Sequence, residues 1–306
     1  MFRFIVSRLL QAIPVLFVIT TLTFFMVRLA PGGPFDQERA MSPASKEAIE
    51  RQYGLDKPLL VQYGSYLKSA LSGDLGPSLS SPGRRVNEII SSKLPNSIQL
   101  GIAALIFALI VGIPAGLIAS LKQNSWLDYI PMTGAMVGIC LPTFVIGPIL
   151  STVFGPWLGW LPVIGWSGGL EYKILPTVTL GLAYAAYVAR LTRGGMLEIL
   201  GQDFIRTAWA KGASTFSVIF KHALRGGLIP VVSFLGPAMA GLISGSFVVE
   251  TIFVIPGLGQ EFVNSALNRD YFLVLGTVLF YAALIIAMNV LVDIAVVWLN
   301  PRSKFE

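Results

Sequence analysis

Six long apolar stretches alternate with polar segments along the chain: Leu9–Val27, Ile98–Leu121, Tyr129–Leu150, Ile174–Ala189, Leu228–Val249 and Phe272–Leu299. A helix needs roughly 20 apolar residues to cross about 30 Å of hydrocarbon. The pattern therefore predicts an all-α integral membrane protein with about six transmembrane helices. The fourth stretch is short and must borrow residues from its flanks. The first follows Arg3 and Arg8, as in a signal peptide, but its apolar run is too long and Arg28-Leu29-Ala30-Pro31 makes a poor cleavage site. We read it as a helix that stays, residues 1–30.

Between it and the second stretch, residues 31–97 turn polar, with seven acids and eight bases. Ser42-Pro43 offers an N-cap with proline at the first helical position, and Gly54 stops that helix. Pro58 opens a second helix that ends at Gly73. This predicts a small water-exposed subdomain of short helices. Residues 98–306 then form a five-helix membrane core. Inside the apolar stretches, Pro114, Pro142, Pro148 and Gly236-Pro237 are tolerable because neighbouring helices satisfy the freed backbone groups. The pairs Gly112/Gly116 and Gly241/Gly245 read as sites of close helix packing.

Composition supports the membrane reading. The chain is 54% hydrophobic and 12% charged, about half the charge a soluble surface requires. Cys140 is the sole cysteine and His222 the sole histidine. That excludes a disulfide framework and a Cys/His metal cluster. The net charge of +6 could suggest nucleic acid, but its distribution says otherwise. With both termini inside, Arg3, Arg8, Lys122, Arg190, Arg193, Arg206, Lys211, Lys221, Arg225, Arg302 and Lys304 are cytoplasmic, against Lys173 and Arg269 in the short outer loops. This is a topology signal.

The segment from Arg190 to Gly227 is long for a loop between two spans. Asp203 can cap a helix over Phe204–Lys211, with Gly212 stopping it where a left-handed conformation is cheap. Ser214 can cap a second helix ending at Gly226-Gly227, with Phe216, Ile219, Phe220, Ala223 and Leu224 on one apolar face. Such a pair makes either a stiff knob that presses on another protein or an amphipathic helix lying on the bilayer.

Phe204-Ile-Arg-Thr-Ala-Trp-Ala-Lys-Gly212, followed by His222 and Pro230, resembles the signature loop of permeases of ATP-binding-cassette (ABC) importers, in the form found in peptide and nickel permeases. Arg206-Thr207-Ala208 stands where the general motif has Glu-Ala-Ala, and Gly212 is kept. Further runs in order resemble the same family: Phe25 to Gly32, Tyr53 to Pro58, Gly73 to Ser78, Glu250 to Phe253, Pro256-Gly257-Leu258-Gly259 and Asn268 to Tyr271. The resemblance covers nearly the whole chain, at its closest to the first (B-type) permease subunit of oligopeptide importers.

The resemblance implies the type I ABC-importer permease fold, in the inner membrane. It implies an ATPase-coupling role for Arg206, Thr207, Ala208, Lys211 and Gly212. The implied partners are a homologous permease, two ATP-binding subunits and an extracytoplasmic peptide-binding protein. The chain has no Gly-x-x-x-x-Gly-Lys-Ser/Thr run, so ATP and Mg belong to the partner ATPases and no cofactor is expected here. Glu250, Pro256, Gly257 and Gly259 are candidates for a gate or pathway mouth. Oligopeptides are the first expectation for the substrate, ahead of dipeptides, glutathione and nickel chelates.

Two other classes fit the sequence less well. An ion-coupled transporter usually shows internal repeats with matched broken helices, and none is evident. An intramembrane enzyme would need a catalytic set that Asp293 and His222 do not supply. Asp293, four residues after Asn289 near the end of the last stretch, reads as structural, within reach of water or a base such as Arg190.

Overall fold

The computed structural model describes residues 2–30, 32–35, 43–244 and 246–299. Pro31, Ser42, Gly245, Arg302 and Lys304, used above, lie outside them. Among the described residues the regular structure is helical, apart from one antiparallel bridge between Pro77 and Arg85. The helices are α1 (Phe2–Leu29), α2 (Pro43–Gln52), α3 (Leu59–Leu71), α4 (Val86–Leu121), α5 (Trp126–Cys140), α6 (Thr143–Thr152) and α7 (Glu171–Leu200). There follow α8 (Asp203–Ala210), α9 (Thr215–Ser217), α10 (Leu224–Gly227), α11 (Ile229–Ser244), α12 (Phe247–Ile252), α13 (Leu258–Leu267) and α14 (Tyr271–Leu299).

Among the described residues five helices are long and apolar enough to cross a membrane, and a sixth span arises if α5 with α6 is counted as one. That third stretch is where expectation and structure part. Tyr129–Leu150 is not one straight span: α5 and α6 meet at 109°. Leu141 precedes Pro142 and takes an extended backbone (φ −84°, ψ 121°), because the proline ring disfavours helical geometry in the residue before it. The fourth stretch does borrow from its flanks, becoming the 30-residue α7. Arg190 and Arg193 are therefore helical, and the connecting segment begins only at Gly201. α4 starts at Val86, inside the polar segment. At 1.5 Å per residue its 36 residues span about 54 Å, well beyond the hydrocarbon.

The chain divides into two compact units: residues 2–95 with 257–284, and 96–256 with the rest of α14 from Ile285. In the first, the N-terminal unit, aromatic side chains make the core. Phe24, Tyr66 and Leu275 pack with Tyr63 and Phe272, and Phe35, Leu79 and Tyr271 with Tyr53. Burial pushes the Tyr66 hydroxyl well above the usual phenol range. Proline at the first residue of α2, Pro58 before α3, and the left-handed Gly54 and Gly73 (φ 65° and 83°) stand as the spacing predicts.

The second, the core unit, is centred on Leu100, Ala104, Leu175, Leu180, Leu242, Val249 and Phe253. The glycine pair of α4 sets a close helix contact within it. A Cβ on Gly112 would lie 2.6 Å from the Ala185 carbonyl oxygen, and one on Gly116 2.3 Å from that of Ala189. Both glycines thus bring α4 and α7 backbones together, as small residues four apart do between membrane helices.

Candidate functional site

The segment after α7 is a stiff knob. Asp203 does not cap α8 as expected. Gln202 takes the extended capping position and Asp203 is the first helical residue, paired at the surface with Arg206. At the other end Gly212, at φ 78°, closes α8 as predicted. Its N–H donates to the Trp209 carbonyl (2.9 Å), and the Ala213 N–H donates to that of Ala208 (3.1 Å). These two bonds are the Schellman arrangement, which satisfies carbonyls that the helix end would orphan. Ser214 caps the next helix by accepting from the Ser217 N–H at 3.3 Å.

Beyond that cap the helix widens into a π-helical stretch, Val218–Ala223, before α10. The extra residue per turn rotates the expected apolar face. Ile219 and Ala223 are buried with Val218, whereas Phe216 and Phe220 stay exposed and pack ring to ring at 4.4 Å. α10 ends at Gly227, as the sequence predicts. The Gly226-Gly227 pair is also a crossing point, with the Gly227 carbonyl 2.2 Å from where a Gly195 Cβ would sit.

One cluster bolts the knob to its membrane helices. Met196 of α7, Ile205 of α8, Val218, Ile219 and Ala223 are buried together, with Ala208 and Ala213 packed against them. Arg206, Thr207, Lys211 and Gly212 face outward. Of the five residues in the predicted contact set, Ala208 alone turns inward. Phe204 and Trp209, about half exposed, share the outer surface and were not singled out from sequence.

Glu250 is fully buried in α12. Its carboxylate accepts from the Ser97 hydroxyl at 2.7 Å and from the Ser246 hydroxyl. The α12 end then makes a second Schellman turn, with Val254 N–H on the Thr251 carbonyl and Ile255 N–H on that of Glu250. Here Val254, not glycine, holds the left-handed position at φ 53°, which is strained for a β-branched residue. The turn is fastened from outside itself: Gly165 N–H donates to the Phe253 carbonyl, and Asn96 to that of Pro256. Glu250 and Pro256 fall in the core unit and Gly257 and Gly259 in the N-terminal unit. Gly257 caps α13 in extended geometry.

Sequence reasoning missed two polar centres. Asp128, 2% exposed, accepts a bidentate pair from Arg193 at 2.6 and 2.7 Å, joining α5 to α7. The sequence signal was an acid immediately before an apolar stretch. Asp270, also buried, gathers Ser78 and Ser80 hydroxyls and the Ser80 N–H with one oxygen, and caps α14 through the Leu273 N–H with the other. It joins two runs, Gly73–Ser78 and Asn268–Tyr271, that sequence could only place separately. Among the described residues no group of His, Cys, Asp and Glu could hold a metal ion.

Over 69% of this chain and 96% of the other, the fold matches the inward-facing MetNI methionine ABC transporter with a TM-score of 0.55, at 16% identity. The chain belongs to the family described as binding-protein-dependent transport system inner membrane component, which it matches over residues 112–305, with that family's N-terminal component over residues 1–101. It is 49% identical, over the full length of both chains, to the oligopeptide transport system permease protein OppB of Salmonella typhimurium. It is 43% identical to the dipeptide transport system permease protein DppB of Bacillus subtilis, over 100% of this chain and 99% of that one.

Proposed function

We propose that this chain is the membrane-spanning permease subunit of an ATP-driven oligopeptide importer, and that the knob around Gly212 receives the ATPase stroke. The observation that carries the mechanism is the anchoring of α8 through Ile205 and Ala208 to Met196 of α7. A force on the outward residues Arg206, Thr207 and Lys211 passes into a membrane helix without being absorbed by a flexible loop. Transmission of this kind needs a stiff element with two alternative packings. Phe204 and Trp209 add apolar area to the docking face.

In this reading the chain pairs with a homologous permease, with two ATP-binding subunits at the knob and a peptide-binding protein on the far side. ATP and Mg are used by those ATPases. Both termini and the knob are cytoplasmic, residues 31–97 are extracytoplasmic, and Glu250, Pro256, Gly257 and Gly259 lie at the outer mouth of the pathway. The basic excess near the knob supports this orientation. The oligopeptide assignment leans on the identity to the Salmonella permease. The dipeptide relative, only slightly more distant, makes short peptides the second reading.

The test is Gly212→Pro in the reconstituted transporter. Proline fixes φ near −65° and removes the N–H that bonds to Trp209, so the α8 end must reorganise. The variant should insert and assemble, and hydrolyse ATP while uptake of labelled peptides falls at least tenfold. Unchanged uptake would sink the coupling assignment. Uptake by the wild-type chain restricted to dipeptides would shift the substrate to the second reading.

A further inference from the structure

Tyr129, Met132 and Met136 recur at i, i+3 and i+7 on α5, and face Arg190, Arg193 and Gly194, at i, i+3 and i+4 on α7. Together they enclose an open cavity of about 480 Å³. Two properties mark it as a site. The Arg193 charge is already neutralised by Asp128. Arg190 has no hydrogen bond or ion pair among the described residues, leaving one cation uncompensated at the cavity wall. The rest of the wall is a phenol ring and two thioethers.

The surroundings fix where this cavity lies. Trp126, Tyr129, Ile130 and Met136 are each between 60% and 68% exposed, so this side of α5 offers an apolar surface. Trp and Tyr at a helix end sit at the level of lipid headgroups, and a nearby arginine reaches the same depth by extending its charged tip. Basic pockets between membrane helices select anionic headgroups.

We propose that this cavity binds one anionic phospholipid. Its phosphate pairs with the Arg190 guanidinium and accepts from the Tyr129 hydroxyl, and an acyl chain lies along Met132 and Met136. The Asp128–Arg193 pair sets the shape of the site. It fixes α5 against α7 and keeps the pocket from carrying two uncompensated charges. A single phosphate then balances the site. The lipid would thereby brace α7 close to where it hands over to α8.

The test uses the full-length chain in the complex isolated from its membrane, stripped of lipid in mild detergent and titrated with phosphatidylglycerol. Bound lipids are counted by native mass spectrometry. One phosphatidylglycerol should be retained in preference to phosphatidylcholine. Arg190→Gln should weaken that site by about fivefold, in line with roughly 1 kcal/mol per basic residue near a membrane surface. Arg190→Lys should restore most of it, and Lys173→Gln, which removes the same charge elsewhere on α7, should leave it unchanged. Glycerol 3-phosphate should not compete, because it has no acyl chain. A phosphatidylglycerol carrying a photoreactive acyl chain should label the peptide containing residues 129–136. The proposal is overturned if phosphatidylcholine is held equally, if Arg190→Gln binds normally, if glycerol 3-phosphate displaces the lipid, or if residues 129–136 stay unlabelled because another subunit fills the cavity.

Discussion

Two helix ends in this protein solve the same backbone problem with different residues. α8 and α12 both finish in a Schellman turn, one with Gly212 in the left-handed position and the other with Val254. The Gly212 turn is locally self-sufficient. Glycine adopts the conformation without steric cost, and its flanking alanines seat themselves on the cluster below. The Val254 turn is held from outside, by Ser97 and Ser246 on Glu250 and by Gly165 and Asn96 on the following carbonyls. An exposed turn with few neighbours has to be stable by its own geometry. A turn whose flanking Phe253 and Ile255 are buried can carry strain at the exposed Val254, because its neighbours over-determine it.

The largest expected effect falls on the outside fastening. Glu250→Ala removes the buried acceptor shared by the Ser97 and Ser246 hydroxyls, at a cost of about 1–3 kcal/mol. The unfolding midpoint in mild detergent should drop several degrees, with Glu250→Gln recovering part of the loss. If Glu250→Ala were neutral, the strained turn would need another support. Next comes relief of the strain itself. Val254→Gly should stabilise the protein by about 1 kcal/mol, the left-handed penalty removed less the extra chain entropy of glycine. A loss of stability would mean that the Val254 side chain contributes more than its backbone costs. The smallest effect is at the self-sufficient turn. Ser214→Ala removes a cap worth roughly 0.5–1 kcal/mol, which hydrogen exchange at Ser217 and Val218 should register while the global midpoint stays nearly constant.

How much of this could be read in advance depended on whether the signal was local. Gly212, Ser214, Gly54, Gly73 and the Gly112/Gly116 pair were legible because each acts on its own turn or its own helix face. The break between α5 and α6 was not. Pro131 and Pro148 lie inside α5 and α6, and only Pro142 between them marks a corner, so proline alone does not say which helix turns. The start of α4 at Val86 was hidden because the end of apolar character and the end of a helix are different boundaries. In the knob, the π-helical stretch shifted the apolar face by a register that regular periodicity cannot anticipate. Asp128 with Arg193, and Asp270 with Ser78, join residues 65 and 192 positions apart, and no local pattern announces such pairs.

The sharp corner between α5 and α6 has a practical consequence. Cys140, the chain's sole cysteine, is the last residue of α5 and is exposed. A thiol-reactive spin label or fluorophore added to the unmodified protein therefore lands on the corner and nowhere else in this chain. Whether α5 and α6 open or close as the transporter cycles becomes measurable without changing a single residue.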